Sequence, residues 1–234
     1  MSHCLICYER IVPQVTWTNL LLPVKEAIIC SECKEKLPIL AAPLCEGCGR
    51  EMTEEGFCAD CLKWQQDPQW KRVPITNHSV YPFQPFMREV ITTWKYRGDY
   101  QLIECFQEEL LHAFETFFYK KEESLTLVPI PLSNDRLIER AFNQAEALAL
   151  LINKNIQVEV VHALTRKSEE ASKQSKMTRK KRLARDNPFT IKKQQSKPVI
   201  LIDDIYTTGM TIRHATKILL ESGCPKVTSF TLAR

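Results

Sequence analysis

The sequence predicts an α/β domain, a mostly parallel sheet with helices on both faces, preceded by a small cysteine-rich metal-binding module. Three observations carry this reading. From Leu125 onward short apolar segments alternate with amphipathic ones, the pattern of parallel strands covered by their crossover helices. Eight of the ten cysteines fall within residues 1–61, as four Cys-x-x-Cys pairs. A chain of 234 residues with 44% hydrophobic side chains can build one full core and an accessory module.

The head, residues 1–61, takes its character from the pairs Cys4/Cys7, Cys30/Cys33, Cys45/Cys48 and Cys58/Cys61. Two residues between thiolates let both sulfurs reach one tetrahedral ion, and two such knuckles close a four-sulfur shell. Two structural Zn²⁺ ions are therefore expected. The pairs read naturally as successive units, although spacing also permits the first to join the third and the second the fourth. Disulfides, a redox pair and an iron–sulfur site are the competing readings. Met1-Ser2-His3-Cys4 has no basic segment followed by an apolar one, so no export signal is expected and the reduced thiols of a cytoplasmic protein are. Gly47 and Gly49 let the chain bend closely around a metal. Cys105 and Cys224 lie outside the pattern and read as small core residues.

Residues 62–79, with Pro68, Pro74, Trp64 and Trp70, show no sustained period and read as a linker or extended segment. Residues 80–234 form the main domain, with a helical part over 80–120 and the α/β core over 125–234. Phe86, Val90 and Trp94 mark one helix, and Leu102, Phe106, Leu110, Ala113 and Phe117 mark one face of a longer one. Between them Lys95-Tyr96-Arg97-Gly98-Asp99 reads as a turn that could be ordinary surface. In the core, 125–130 is a buried strand, 135–153 a helix and 156–164 a strand. Residues 198–202 follow as a fully apolar strand, 211–222 as a helix capped by Gly223, and 226–232 as a last strand. No apolar run approaches the roughly 18 residues of a membrane span, so no membrane insertion is expected.

Val199 to Thr211 is the most specific segment. An apolar strand ends in Asp203 and Asp204, at the end of a parallel strand where ligands bind in open α/β sheets. Thr207, Thr208, Gly209, Met210 and Thr211 then lead into a helix N-terminus. Such a loop offers backbone N–H groups, hydroxyls and the positive end of a helix dipole to a phosphate. The carboxylates suit two adjacent ribose hydroxyls; a helix cap or a Mg²⁺ site are the plainer readings.

This strand, acid pair and Thr-Gly-x-Thr loop resemble the type I phosphoribosyltransferases. The resemblance implies that Asp203 and Asp204 hold the ribose hydroxyls of phosphoribosyl pyrophosphate (PRPP), taken with Mg²⁺, while Thr207 to Thr211 wrap its 5′-phosphate. Val128-Pro129-Ile130-Pro131 with Arg136, Arg140 and Phe142-Asn143-Gln144 resembles the pyrophosphate-side loop, which assigns Pro131, Arg136 and Arg140 there. Members of the fold usually have Gly where this chain has Ala141, so a helical backbone is expected at that point. The mobile loop would be the basic segment from Arg166 to Arg185, including Gln174, closing over the ligand as lids do.

The zinc-ribbon head before this core, with the Lys95–Asp99 turn, Val-Pro-Ile-Pro, Phe-Asn-Gln and Asp-Asp-Ile-Tyr-Thr-Thr-Gly, resembles the competence protein ComF family over nearly the whole chain. The resemblance implies a cytoplasmic protein required for natural transformation. It would handle incoming single-stranded DNA alongside a helicase-like ATPase of the uptake machinery. Two functional classes follow: a binding module that uses the PRPP site as a sensor or phosphate pocket, and an active transferase that passes the phosphoribosyl group to an unidentified nitrogenous acceptor. No catalytic residue is assigned. Thr207 replaces the carboxylate that hypoxanthine-type members use beside the purine, and a threonine is no general base near neutral pH.

Charge is unevenly spread beneath a net +4. Residues 1–61 carry −4, 62–165 carry −2, 166–193 carry +8 and 194–234 carry +2. A basic stretch is the footprint of a polyanion partner or a solvated loop. As DNA contacts it offers Arg166, Lys167, Lys173, Lys176, Arg179, Lys180, Lys181 and Arg182. Trp64, Trp70 and Trp94 are candidates for base stacking, with ordinary packing as the plainer reading of each.

Overall fold

A computed structural model of the chain describes residues 2–12, 27–97, 99–118, 125–167 and 187–234. Five parallel strands form the main sheet: β1 (Asn77–Tyr81), β2 (Thr126–Pro129), β3 (Glu159–Val160), β6 (Val199–Ile205) and β7 (Val227–Ala233), in the spatial order β1-β7-β6-β2-β3. A separate antiparallel pair joins β4 (Leu164–Arg166) to β5 (Phe189–Ile191).

Strand β6 shows how sequence dictates the layers. Its side chains alternate between faces, so Ile200 and Ile202 enter one buried cluster while Val199 and Leu201 enter the other. The first cluster packs under α3 (Pro85–Tyr96), α4 (Gln107–Phe118) and α6 (Gln144–Ile156), through Trp94, Phe114 and Leu148. The second packs under α7 (Met210–Glu221), through Ile212, Ala215 and Leu219. Burial on both faces is why β6 opens as an uninterrupted apolar run. Helices cover both sides of the sheet, as the sequence predicts.

Several elements differ from the periodicity. The face from Leu102 to Phe117 belongs to two helices, a 3₁₀ segment Tyr100–Phe106 and then α4. The stretch 135–153 is also two helices, α5 (Asn134–Arg140) and α6. They break at Ala141, whose backbone is left-handed at φ 64°. The helical backbone expected there is therefore incorrect. Asn143 explains the break: it caps α6, its side chain accepting from the Ala145 N–H at 3.1 Å and donating to the Ile130 carbonyl at 3.0 Å. A cap residue needs non-helical dihedrals, so one helix cannot run through it.

The strand expected over 156–164 shrinks to Glu159–Val160, because Gln157 ends α6 in the left-handed region at φ 61°. The segment 62–79 carries the end of α2 (Ala59–Gln66) and the start of β1. Strand β1 escapes periodicity since Asn77 and Ser79 point polar groups into a buried network. Ser79 Oγ lies 2.7 Å from Thr231 Oγ1, and Ser229 donates to Asn77 Oδ1 at 2.8 Å. No described helix is long and apolar enough to cross a membrane.

Candidate functional site

Two groups of four cysteines form in the head. Cys4, Cys7, Cys30 and Cys33 converge, as do Cys45, Cys48, Cys58 and Cys61, with the sulfurs of each group within 4.8 Å of one another. The pairing is therefore sequential. None of the ten cysteines is in a disulfide. Separations of 3.7 Å between the sulfurs of Cys7 and Cys30, and of Cys48 and Cys58, match the edge of about 3.8 Å for sulfurs placed about 2.3 Å from a tetrahedral zinc. Both groups can hold a metal ion, and soft four-sulfur shells suit zinc. The short α1 (Ser31–Glu35) starts within the second knuckle of the first group, with Cys30 as its N-cap and Cys33 inside it, and α2 starts likewise within the last knuckle of the second, with Cys58 as its N-cap and Cys61 inside it.

The second group is built into the core. Its cysteines pack with Val128, Leu201 and Tyr206. Gly47 and Gly49 are required there: a Cβ on Gly47 would lie 2.9 Å from Cys61 Sγ, and one on Gly49 2.7 Å from the Asn77 carbonyl oxygen. Asn77 ties this knuckle to the sheet, its N–H donating to the Gly47 carbonyl at 2.9 Å and its amide to the Cys48 carbonyl at 3.2 Å. The first group packs instead on the α3–α4 side through Leu5, Ile6, Ile29 and Leu37. Cys105 and Cys224 are buried, at 7% and 4% exposure, as core residues should be.

A cavity of about 250 Å³ opens at the C-terminal end of the sheet. Asp203 and Asp204 line one wall, Thr207 lies in the loop leading into α7 and Thr211 in its first turn, and Arg136 and Arg140 come from α5. Arg166 of β4 also lines it, as do Ile130 and Leu132 on either side of Pro131. Thr208 lines a neighbouring cavity instead, while Gly209 and Met210 form the cap and first residue of α7. Gly209 sits at φ 77°, and a Cβ there would collide with the Tyr206 hydroxyl at 2.1 Å. Only glycine fits on both counts.

Lys95 is the residue sequence reasoning missed. It lies in the last turn of α3 and makes an ion pair with Asp204, both side chains largely withdrawn from solvent. The segment read as a Lys95–Asp99 surface turn is therefore corrected: Lys95 and Tyr96 belong to α3, and Gly98 lies outside the described residues. The signal was there, since Lys95 follows Trp94 at the end of an amphipathic helix whose core face is clear; only the topology shows where that helix points. Four cations, Lys95, Arg136, Arg140 and Arg166, face two carboxylates, a balance suited to a polyanion that also carries hydroxyls. Arg140 is 8% exposed. Its guanidinium donates to Gln144 Oε1 at 3.2 Å and to the Tyr96 hydroxyl at 3.4 Å. Its Nε and the Gln144 amide nitrogen stay buried without hydrogen-bond partners. Buried donors of this kind await an acceptor.

Burial, and secondarily the neighbouring Asp204 carboxylate, pushes the Asp203 carboxyl from 3.8 up to about 7. Hydroxyl donors and a hard divalent cation would both relieve that strain, and two carboxylate oxygens suit Mg²⁺.

Of the basic segment, Arg166 and the exposed Lys167 are described; Lys173, Lys176, Arg179, Lys180, Lys181 and Arg182 lie outside the described residues. Trp70 and Trp94 are buried, at 3% and 0% exposure. They pack against His214 and Phe106 respectively, so neither offers a stacking face. Trp64 is partly exposed and already covered by Arg213, 4.5 Å from its ring centre.

No protein-family model matches the chain. Among curated proteins it is 36% identical over 234 residues to competence protein ComFC of Bacillus subtilis (strain 168), covering 99% of this chain and 94% of the relative. It is 31% identical to competence protein ComFC of Streptococcus pneumoniae, over 99% of both chains. DNA utilization protein YhgH of Escherichia coli (strain K12) is 25% identical over 209 residues, covering 88% of this chain and 90% of the relative. Identity at this level over full length places the chain in the ComF competence-protein family.

Proposed function

We propose that this member of the ComF family acts in competence and DNA uptake, handling incoming single-stranded DNA on the cytoplasmic side, with a PRPP-type pocket at the C-terminal end of its sheet. The names of its relatives, competence protein and DNA utilization protein, support the first part. The pocket supports the second, and one observation carries it: paired carboxylates beside a phosphate-type loop, faced by four cations. Asp203 and Asp204 take the ribose hydroxyls. The loop from Thr207 to Thr211 takes the 5′-phosphate, whose charge the first N–H groups of α7 complement. Arg136 and Arg140 take the pyrophosphate, with Arg140 Nε and the Gln144 amide supplying donors that are otherwise orphaned. Lys95 is displaced from Asp204 as the ribose enters.

Mg²⁺, when bound with PRPP, would offset pyrophosphate charge beside Asp203 and Asp204. The two tetra-cysteine centres hold structural zinc. The basic segment, with Lys176, Arg179, Lys180, Lys181 and Arg182, neutralises the DNA backbone, and a helicase-like ATPase of the uptake machinery is the protein partner.

Binding without turnover is the favoured reading, since Thr207 supplies no general base where a purine would sit. The complete pocket keeps phosphoribosyl transfer to an unusual nitrogenous acceptor as the alternative. Zinc-loaded protein given PRPP, Mg²⁺, free bases and single-stranded oligonucleotides separates the two by pyrophosphate release. Saturable binding with no release above the spontaneous rate is expected; sustained multiple turnover would establish a transferase instead.

A further inference from the structure

One side chain joins the second cysteine centre to the phosphate-type loop. Arg234 follows β7 and its backbone is held on both sides: its N–H donates to the Tyr81 carbonyl at 2.9 Å and its carbonyl accepts from the Phe83 N–H at 2.8 Å. From this fixed point the guanidinium lies over the Tyr206 ring, 4.9 Å from its centre. Nη1 donates to the carbonyls of Tyr206 at 3.3 Å and Thr207 at 3.0 Å, while Nη2 reaches Cys48 Sγ at 3.2 Å. A planar fork with N–H groups in fixed directions holds these partners together. An ammonium is a point donor and does not.

The contact reaches further into the loop. Tyr206 is 3% exposed, and its hydroxyl occupies the space a side chain on residue 209 would fill. Any shift of the Tyr206 and Thr207 carbonyls is therefore passed to Gly209, the cap of α7. At the other end, Arg234 donates to a thiolate of a four-sulfur shell that fits zinc, and partners of ligands orient them and tune the metal. A cavity of about 420 Å³, lined by Cys48, Cys61, Thr207, Thr208 and Arg234, lies beside the bridge and leaves room for such a shift.

We propose that Arg234 is a positioning residue coupling the Cys45/Cys48/Cys58/Cys61 centre to the phosphate loop, so that metal at this centre raises the loop's affinity for its ligand and ligand protects the metal. This rests on reading the loop as a PRPP site. The reciprocity is a thermodynamic requirement, each ligand changing the other's affinity by the same factor.

The test uses the full zinc-loaded chain. Zinc loss to a chromophoric chelator is timed with and without PRPP and Mg²⁺, and PRPP affinity is measured by calorimetry, for the wild type, R234M and R234K. In the wild type PRPP slows loss of one of the two zinc equivalents by about tenfold, within the usual range of such couplings. R234M binds PRPP about tenfold more weakly and loses the protection, and R234K, which keeps the charge without the fork, does not restore it. With cobalt in place of zinc, R234M shifts the thiolate charge-transfer band. A wild type that binds PRPP without protecting either zinc equivalent overturns the coupling and leaves the pocket reading standing. No PRPP binding by the wild type overturns both. Protection that persists in folded R234M overturns Arg234 as the coupling residue, and absence of protection in the wild type overturns the coupling even if a variant folds poorly.

Discussion

Asp203 concentrates the conflict between folding and ligand binding. Its carboxyl, pushed up to about 7 by burial and by Asp204, is favoured by the fold in its protonated form. That stabilisation is fully present below the ordinary value of 3.8 and is lost as pH rises through about 7. Asp203→Asn removes the titration, so the variant should exceed the wild type in stability by about 1–3 kcal/mol at pH 8 and by little near pH 4. Denaturant unfolding at both pH values checks this; an equal gap at the two would contradict it. Ala141 is a second strained position, because a left-handed alanine costs roughly 1–2 kcal/mol. Ala141→Gly is expected to stabilise by about 0.5–1 kcal/mol after its own entropy cost, read from the urea midpoint; a loss of stability would contradict it. Asp203 and the eight ligand-type cysteines were legible in the sequence because short-range spacing encodes them. Lys95 was not, because only the packing of α3 on the sheet brings it to Asp204.

At the scale of elements, β6 and α7 were the most legible, since an apolar run, two acids and Gly209 specify a strand, a turn and a helix start within a few residues. The helices that break at Ala141 and Phe106 were not, because apolar periodicity continues across each break and tertiary demands place it: the Asn143 cap in one case, the 3₁₀ packing of Leu102, Ile103 and Phe106 in the core in the other. Strand β1 was hidden by its buried Asn77 and Ser79. The basic segment belongs to this scale as well. Neutralising Lys176, Arg179, Lys180, Lys181 and Arg182 together should weaken single-stranded DNA binding. It should also flatten the plot of log affinity against log salt by up to about 0.7 for each lost contact. An unchanged slope in fluorescence anisotropy titrations would remove the segment from the DNA interface.

For the whole molecule, metal changes the charge picture. Eight thiolates and two Zn²⁺ would take the head from −4 to about −8, against +8 on residues 166–193. The net charge then says little, while the opposite charges that the head and residues 166–193 carry along the sequence say more. The two centres should also differ in what they hold together. Cys45 and Cys48 are both buried, at 2% and 1% exposure, and pack in the sheet core, whereas of the first pair only Cys4 is buried and Cys7 is exposed. Replacing Cys45 and Cys48 by Ser should therefore lower Tm by roughly 5–10 °C more than replacing Cys4 and Cys7, in thermal unfolding of zinc-loaded protein; the reverse order would contradict the packing argument. The central claim, that the sheet's C-terminal end binds a phosphorylated ribose, is tested most directly by calorimetric titration of PRPP with Mg²⁺ into the wild type and into the Asp203→Ala, Asp204→Ala double variant. Saturable binding by the wild type, lost by at least about a hundredfold in a variant that keeps its circular dichroism, is the expected result. Undiminished binding by the variant, or none by the wild type, would contradict it.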